Sequence, residues 1–194
     1  MLESRADIWD GGHRIPLIVR WPGQIKAGST SDQLVSLVDL MATCADILRV
    51  KLPGQAGEDS VSLLPALLGK ATAPLREAVV FHSINGSFAI RQGRWKLELC
   101  SDSGGWSAPQ PGSKAAQGLP PVQLYDMAKD VGERTNECQQ HPDIVAQLTR
   151  LLEKYVADGR STPGKPEHND VTVNLRQPAP PAKNAGVKTV PNDT

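Results

Sequence analysis

An imidazole and a guanidinium set directly behind a glycine pair are the groups in this chain best placed for chemistry. In Gly11-Gly12-His13-Arg14 a tight backbone presents two side chains able to meet an anion. The plainer alternative is structural, with Arg14 tying the loop to a carboxylate and His13 capping a backbone group. A second polar group is His82 and Asn85, in Phe81-His82-Ser83-Ile84-Asn85-Gly86. It follows a predicted strand and suits either a ligand contact or a satisfied strand end. Trp106, in Gly104-Gly105-Trp106-Ser107, carries an aromatic on a glycine-rich loop. Such a ring meets sugars or partner proteins, or folds back as a plug. His141 precedes Pro142 and reads as a helix cap, and Trp9, Trp21 and Trp95 read as packing residues. Cys44, Cys100 and Cys138 are odd in number and form no C-x-x-C, so neither a zinc site nor a disulfide framework is indicated.

Positioning these groups requires elements that the hydrophobic pattern supplies. Ile15–Trp21 predicts a short buried strand closed by Pro22-Gly23, and Leu34–Val38 a second extended segment. Asp39 reads as the N-cap of a helix that places Leu40, Met41, Cys44, Ile47 and Leu48 on one face. On that face Cys44 is expected in the core. Val61–Leu68 predicts a short helical turn ended by Gly69. The next stretch is strand-rich, with candidates at Ala78–His82, Ser87–Arg91, Trp95–Leu99 and Val122–Asp126. Gln92-Gly93-Arg94 joins the middle two as a hairpin. Ser101–Pro121 is a long Gly/Pro/Ser loop, and a helix starting at Pro142 carries Ile144, Val145, Leu148, Leu151, Leu152, Tyr155 and Val156 at helical spacing. Its apolar face is expected to pack on the hairpin sheet.

The organisation that follows is three segments: 1–75, 76–160 and a Pro-rich tail, 161–194, expected to be disordered or held as a strap. Lys+Arg 21 against Asp+Glu 21 gives zero net charge, which offers no global attraction to nucleic acid or an anionic membrane. No apolar run reaches the ~18 residues of a membrane span. Residues 1–20 carry no signal-peptide pattern.

Three groups of residues in fixed order resemble one known family. They are Trp9-Asp10-Gly11-Gly12-His13-Arg14 with Pro16 and Trp21-Pro22-Gly23; Val35-Ser36-Leu37-Val38-Asp39 running into a helix; and Phe88–Leu97 followed by Leu124-Tyr125-Asp126-Met127, Asp130 and Glu133–Asn136. Together they resemble the C-terminal portion of formylglycine-dependent sulfatases of the arylsulfatase A-like kind, over residues 3–160. The resemblance implies an alkaline-phosphatase-like α/β fold. Residues 1–75 would be the end of the large catalytic domain, and 76–160 a small α+β domain with an antiparallel sheet and one helix.

The implied chemistry is hydrolysis of sulfate esters by a formylglycine nucleophile, with Ca²⁺ polarising the sulfate and basic residues neutralising its oxygens. No cysteine here is followed by x-Pro-Ser-Arg, and the Asp-Asn metal pair expected just upstream of the glycine pair is absent. The nucleophile and calcium ligands are therefore expected outside this chain, which alone would be inactive. The family lysine falls on Arg5, which keeps the charge but is a poorer proton donor. His13, His82, Asn85 and Trp106 are the candidate substrate contacts, and a sulfated small molecule or carbohydrate the expected ligand. The resemblance also implies a periplasmic or extracellular location and a partner in the N-terminal half of the enzyme. The competing readings are a non-catalytic binding module derived from a sulfatase and a phosphodiesterase of the same superfamily.

Overall fold

The computed structural model describes residues 5–176. Four short strands form an antiparallel meander: β1 Val79–His82, β2 Phe88–Gln92, β3 Trp95–Glu98 and β4 Gln123–Asp126, in the spatial order β1-β2-β3-β4. The β2–β3 hairpin pairs Gln92 with Trp95, leaving Gly93-Arg94 as the connection. Gly93 stands at φ +56°, the left-handed value that the first residue of such a tight turn requires.

Alternation divides the sheet into two faces. Val80, Ile90, Leu97 and Leu124 lie in register on one of them. That face takes the apolar stripe of α4 (Pro142–Asp158), where Leu148, Leu152 and Tyr155 are buried against it. Helix and strand periods thus meet as their sequences predict. Helix α4 ends where Gly159 turns to φ +62° and Arg160 donates its N–H to the Tyr155 carbonyl.

The second face carries Lys96 and Glu98, which alternation alone would expose. Both are fully buried. Residues Ala6–Ile8 and the one-turn helix α1 (Asp10–His13) lie across them. The Ser101–Pro121 loop clamps this segment from outside. Ile8 donates to the Ser103 carbonyl, and Trp106 and Ser107 donate backbone N–H groups to Asp7 Oδ1. Gly105 permits that approach, since a Cβ there would stand 2.5 Å from the Ala6 carbonyl oxygen. Beyond β4, the Asn136 side chain donates to the Val122 carbonyl and accepts from the Leu124 N–H. Glu137 N–H donates to the Leu124 carbonyl.

Residues 14–75 depart most from the sequence expectations. Ile15–Trp21 forms no strand, and Ile18 is 90% exposed. A strand needs a neighbour, and no described residue pairs with it. Leu34–Val38 likewise forms no strand. In α2 (Asp39–Leu48) the expected core face is outward: Leu40, Met41, Cys44, Ile47 and Leu48 are exposed, and Asp39, Thr43 and Ala45 are buried. Packing on the short α3 (Leu64–Leu67) side selects these small and polar residues. Cys138, not Cys44, is the core cysteine.

Asp39 is the first helical residue and not its N-cap. Its carboxylate accepts the Ser36 and Val61 N–H groups and a two-pronged contact from Arg76 at 2.8 and 3.0 Å. Arg76 also donates to the Ala78 carbonyl, linking α2 to the entrance of β1. After α4 residues 161–176 return as a strap to the loop ahead of α3, and residues 177–194 of the expected tail lie outside the described residues. Ser161 N–H donates to Asp59, Thr162 Oγ1 donates to the Glu58 carbonyl, and Leu175 packs against the small-sheet core.

Candidate functional site

At the centre of the polar face Lys96 Nζ is enclosed on all sides. It donates to the Ile8 carbonyl at 3.0 Å and to Glu133 Oε1 at 2.7 Å. Glu98 Oε1 lies at 3.1 Å and Asp10 Oδ1 at 3.3 Å. The Phe81 ring closes the remaining side at 5.6 Å. Asp10 also receives Arg91 at 3.6 Å and donates its N–H to Glu133 Oε2 at 2.6 Å. Burial disfavours the Lys96 charge, but Glu98, Glu133 and Asp10 together outweigh it and hold the ammonium above its usual range.

Three carboxyl groups around one ammonium leave an excess of negative charge in a closed site. Burial pushes Glu98 well above the usual carboxylate range, and Glu133 beside it adds to the rise. Burial raises Glu133 as well, against the pull of Lys96. Neither Glu98 oxygen has a well-directed hydrogen bond, although Lys96 stands at ion-pair distance. Folding therefore favours protonation of this pair.

This has a sign that can be measured. A carboxyl group raised on folding binds more protons folded than unfolded. Its contribution is complete below the unfolded value near ~4.3 and is lost as pH climbs toward the folded value. Glu98→Gln, which needs no proton, is expected to flatten that decline. Urea unfolding over a series of pH values above ~4.3 should show the wild type losing stability, by at most about 1.4 kcal/mol per pH unit for one proton, and the variant losing less.

Above the cluster opens a cleft of about 1510 Å³ between α1 with the residues after it, the 31–40 and 71–77 segments, and β1 with the start of the hairpin. His13, Arg14, His82 and Arg91 line it. The His13 ring packs on Phe81 with centroids 5.3 Å apart. Its hydrogen bond to the Asp7 backbone uses Nδ1, because Nε2 is buried without a partner. Burial lowers the His13 pKa and the Lys96 charge lowers it further, both favouring the uncharged ring.

Of the sequence candidates, the structure brings His13 and His82 to one cleft. Arg5 is exposed ahead of the buried Ala6 and does not line the cleft. Asn85 is exposed beyond β1, and Trp106 is 66% exposed on the loop that clamps Asp7; neither lines the cleft. Arg91 and the Lys96 cluster were missed. Their signal was the spacing Arg91-x4-Lys96-x-Glu98 within two predicted strands, which puts all three on one face. Cys100 is no nucleophile: burial, with Glu98 and Asp102, pushes its thiol up to about 12.

Residues 5–103 match the family model described as N-sulphoglucosamine sulphohydrolase, C-terminal. An N-acetylgalactosamine-6-O-sulfatase of Bacteroides thetaiotaomicron is 36% identical over 153 residues, covering 77% of this chain and 29% of that protein. Human arylsulfatase A is 34% identical over 144 residues, covering 69% and 28%. Among solved structures, one from work on glycosaminoglycan metabolism in Bacteroides thetaiotaomicron superposes with a TM-score of 0.64 at 37% identity, over 77% of this chain and 30% of that one. Another, solved with D-glucosamine-2-N,6-O-disulfate as its substrate, superposes at 0.55 with 27% identity, over 73% and 28%. The chain thus spans under a third of the length of these proteins.

Proposed function

Because the chain belongs to the sulfatase family, as a C-terminal portion with the fold of that region, we propose that it forms the substrate-facing part of a hydrolase of sulfate esters on carbohydrates. The cleft is the observation that carries this reading. Arg14 and Arg91 supply fixed positive charge, His82 supplies an imidazole on the same walls, and the His13 ring forms part of the wall with its Nε2 buried. Guanidinium groups suit the oxygens of a sulfate, and imidazoles suit sugar hydroxyls. The sugar class is supported by the names of the relatives, which include an aminosugar 6-O-sulfatase and an enzyme holding a disulfated glucosamine.

The residues present do not fit calcium. Asp10, Glu98 and Glu133 already surround Lys96 Nζ, and no other described group of three or more acidic, His or Cys residues is arranged to hold a metal. In this reading the nucleophile and the calcium site lie on a preceding catalytic portion, in a periplasmic or extracellular enzyme. That portion covers the exposed apolar side chains of residues 15–50, among them Ile18, Leu37 and Leu48. The chain by itself binds and does not hydrolyse.

The test is titration of the 194-residue chain with N-acetylgalactosamine 6-sulfate and with its unsulfated parent, followed by NMR. Shifts at His13, Arg14 and Arg91 with the sulfated sugar only, and no release of sulfate, are expected. Equal response to both sugars, or shifts away from the cleft, would overturn the reading.

A further inference from the structure

We propose that Lys96 is a positioning residue of the cleft: held beneath α1, it binds the Ile8 carbonyl and the Asp10 carboxylate at once and thereby fixes the His13 ring on the cleft wall. The role rests on the proposed function for its purpose, but its geometry does not depend on it.

The place of Lys96 in the sheet decides what it can reach. It lies in the middle strand pair, on the face away from the apolar core, and none of its side chain reaches solvent. An ammonium there serves no interaction with a ligand directly. Its contacts hold the entrance of the turn that carries the cleft residues: Ile8 just before it and Asp10 at its first residue. Phe81 forms the side wall for both groups, facing Lys96 Nζ at 5.6 Å and the His13 ring at 5.3 Å. Glu133 fastens the turn from the other side, accepting from Lys96 and from the Asp10 N–H together. The turn of Asp10–His13 is too short to hold its own shape, since a single helical turn is costly to nucleate. The buried charge beneath supplies what local propensity does not.

An electrostatic role follows and separates positioning from mere packing. The charged groups facing His13 are Lys96 from β3, His82 from the end of β1 and Asp10 from its own turn, with the Asp7 backbone on Nδ1. Glu98 and Glu133 stand behind Lys96 and Arg91 behind Asp10. Removing the ammonium takes away the nearest positive charge and leaves Asp10 in place. The imidazole should then protonate more readily.

The experiment follows His13 by NMR titration in the 194-residue chain, together with amide exchange at residues 8–13. Lys96→Met tests the role directly. Lys96→Met with Glu133→Gln removes a carboxylate together with the ammonium, while Asp10 keeps Arg91. In whichever variant is folded, the His13 titration midpoint is expected to rise by about one pH unit or more, and the amides of 8–13 to lose more protection than those of β2 and β3. An unchanged midpoint and unchanged protection in a folded variant overturn the proposal. Sulfated-sugar binding is read separately: failure of the wild type to bind counts against the function alone, and an unmoved His13 counts against Lys96 alone.

Discussion

Lys96→Met is expected to destabilise the folded chain by about 3–5 kcal/mol. Methionine is apolar, close to lysine in length and able to fill the same space, so little of this loss is packing. The loss comes from the groups left behind. The Ile8 carbonyl loses its donor, and Asp10, Glu98 and Glu133 lose the cation that makes their burial tolerable. Were this a surface ion pair, the effect would be within ~1 kcal/mol. Full burial of the lysine decides between the two cases. Glu133→Gln in the same chain should return part of the loss, with a coupling of about 0.5–3 kcal/mol. Urea unfolding of the wild type, both single variants and the double variant closes that cycle. Additive effects would show that Lys96 and Glu133 do not act together.

Asp39→Ala is expected to loosen the other unit by about 3 kcal/mol or more. The carboxylate has no exposed surface and serves three partners: the Ser36 N–H, the Val61 N–H and Arg76. Truncation leaves two backbone donors and a buried guanidinium unanswered. Residues 36–64 have few buried apolar side chains, with Leu63 and Ala45 the aliphatic ones among them. The loss should therefore appear as local opening before global unfolding. Native-state hydrogen exchange is the measurement, with faster exchange in α2 and α3 and β2 and β3 unaffected. Uniform loss of protection across the chain would show instead that the two units unfold together.

How legible this was in the sequence depends on what buries each element. The small sheet and α4 bury their apolar faces on each other, so period 2 and period 3.6 were enough to place them. The turn at Gly93 followed from backbone rules that act locally, and the stop at Gly159, which obeys the same rules, was not read. The second sheet face was not legible, because its cover comes from residues nearly ninety positions away. Lys96 and Glu98 alternate with Leu97 as a solvated edge would. Only the contact with Ile8 and Asp10 turns them into a core. The Ile15–Trp21 and α2 readings failed for the opposite reason. Their apolar patterns are real, but no described part of the chain lies against them, and pattern alone does not say which neighbour a face has. At the cleft, His13 and His82 could be read from their turns, whereas Arg91 is recognised only once β2 is placed against α1.

The Asn136 amide has a consequence for how these molecules behave at high concentration. The last strand of a meander ordinarily offers a row of free peptide groups, and a second chain can add to that row and recruit a third. Here Val122, Leu124 and Asp126 have their outward carbonyls occupied by the Asn136 side chain, by Glu137 and by Lys129 and Asp130 of the same chain. The Asn136 side chain and the backbone N–H groups of residues 129, 130 and 137 together stand in for a fifth strand. They deny a template to polymer growth on that side, leaving the sheet finite while its opposite border faces the cleft.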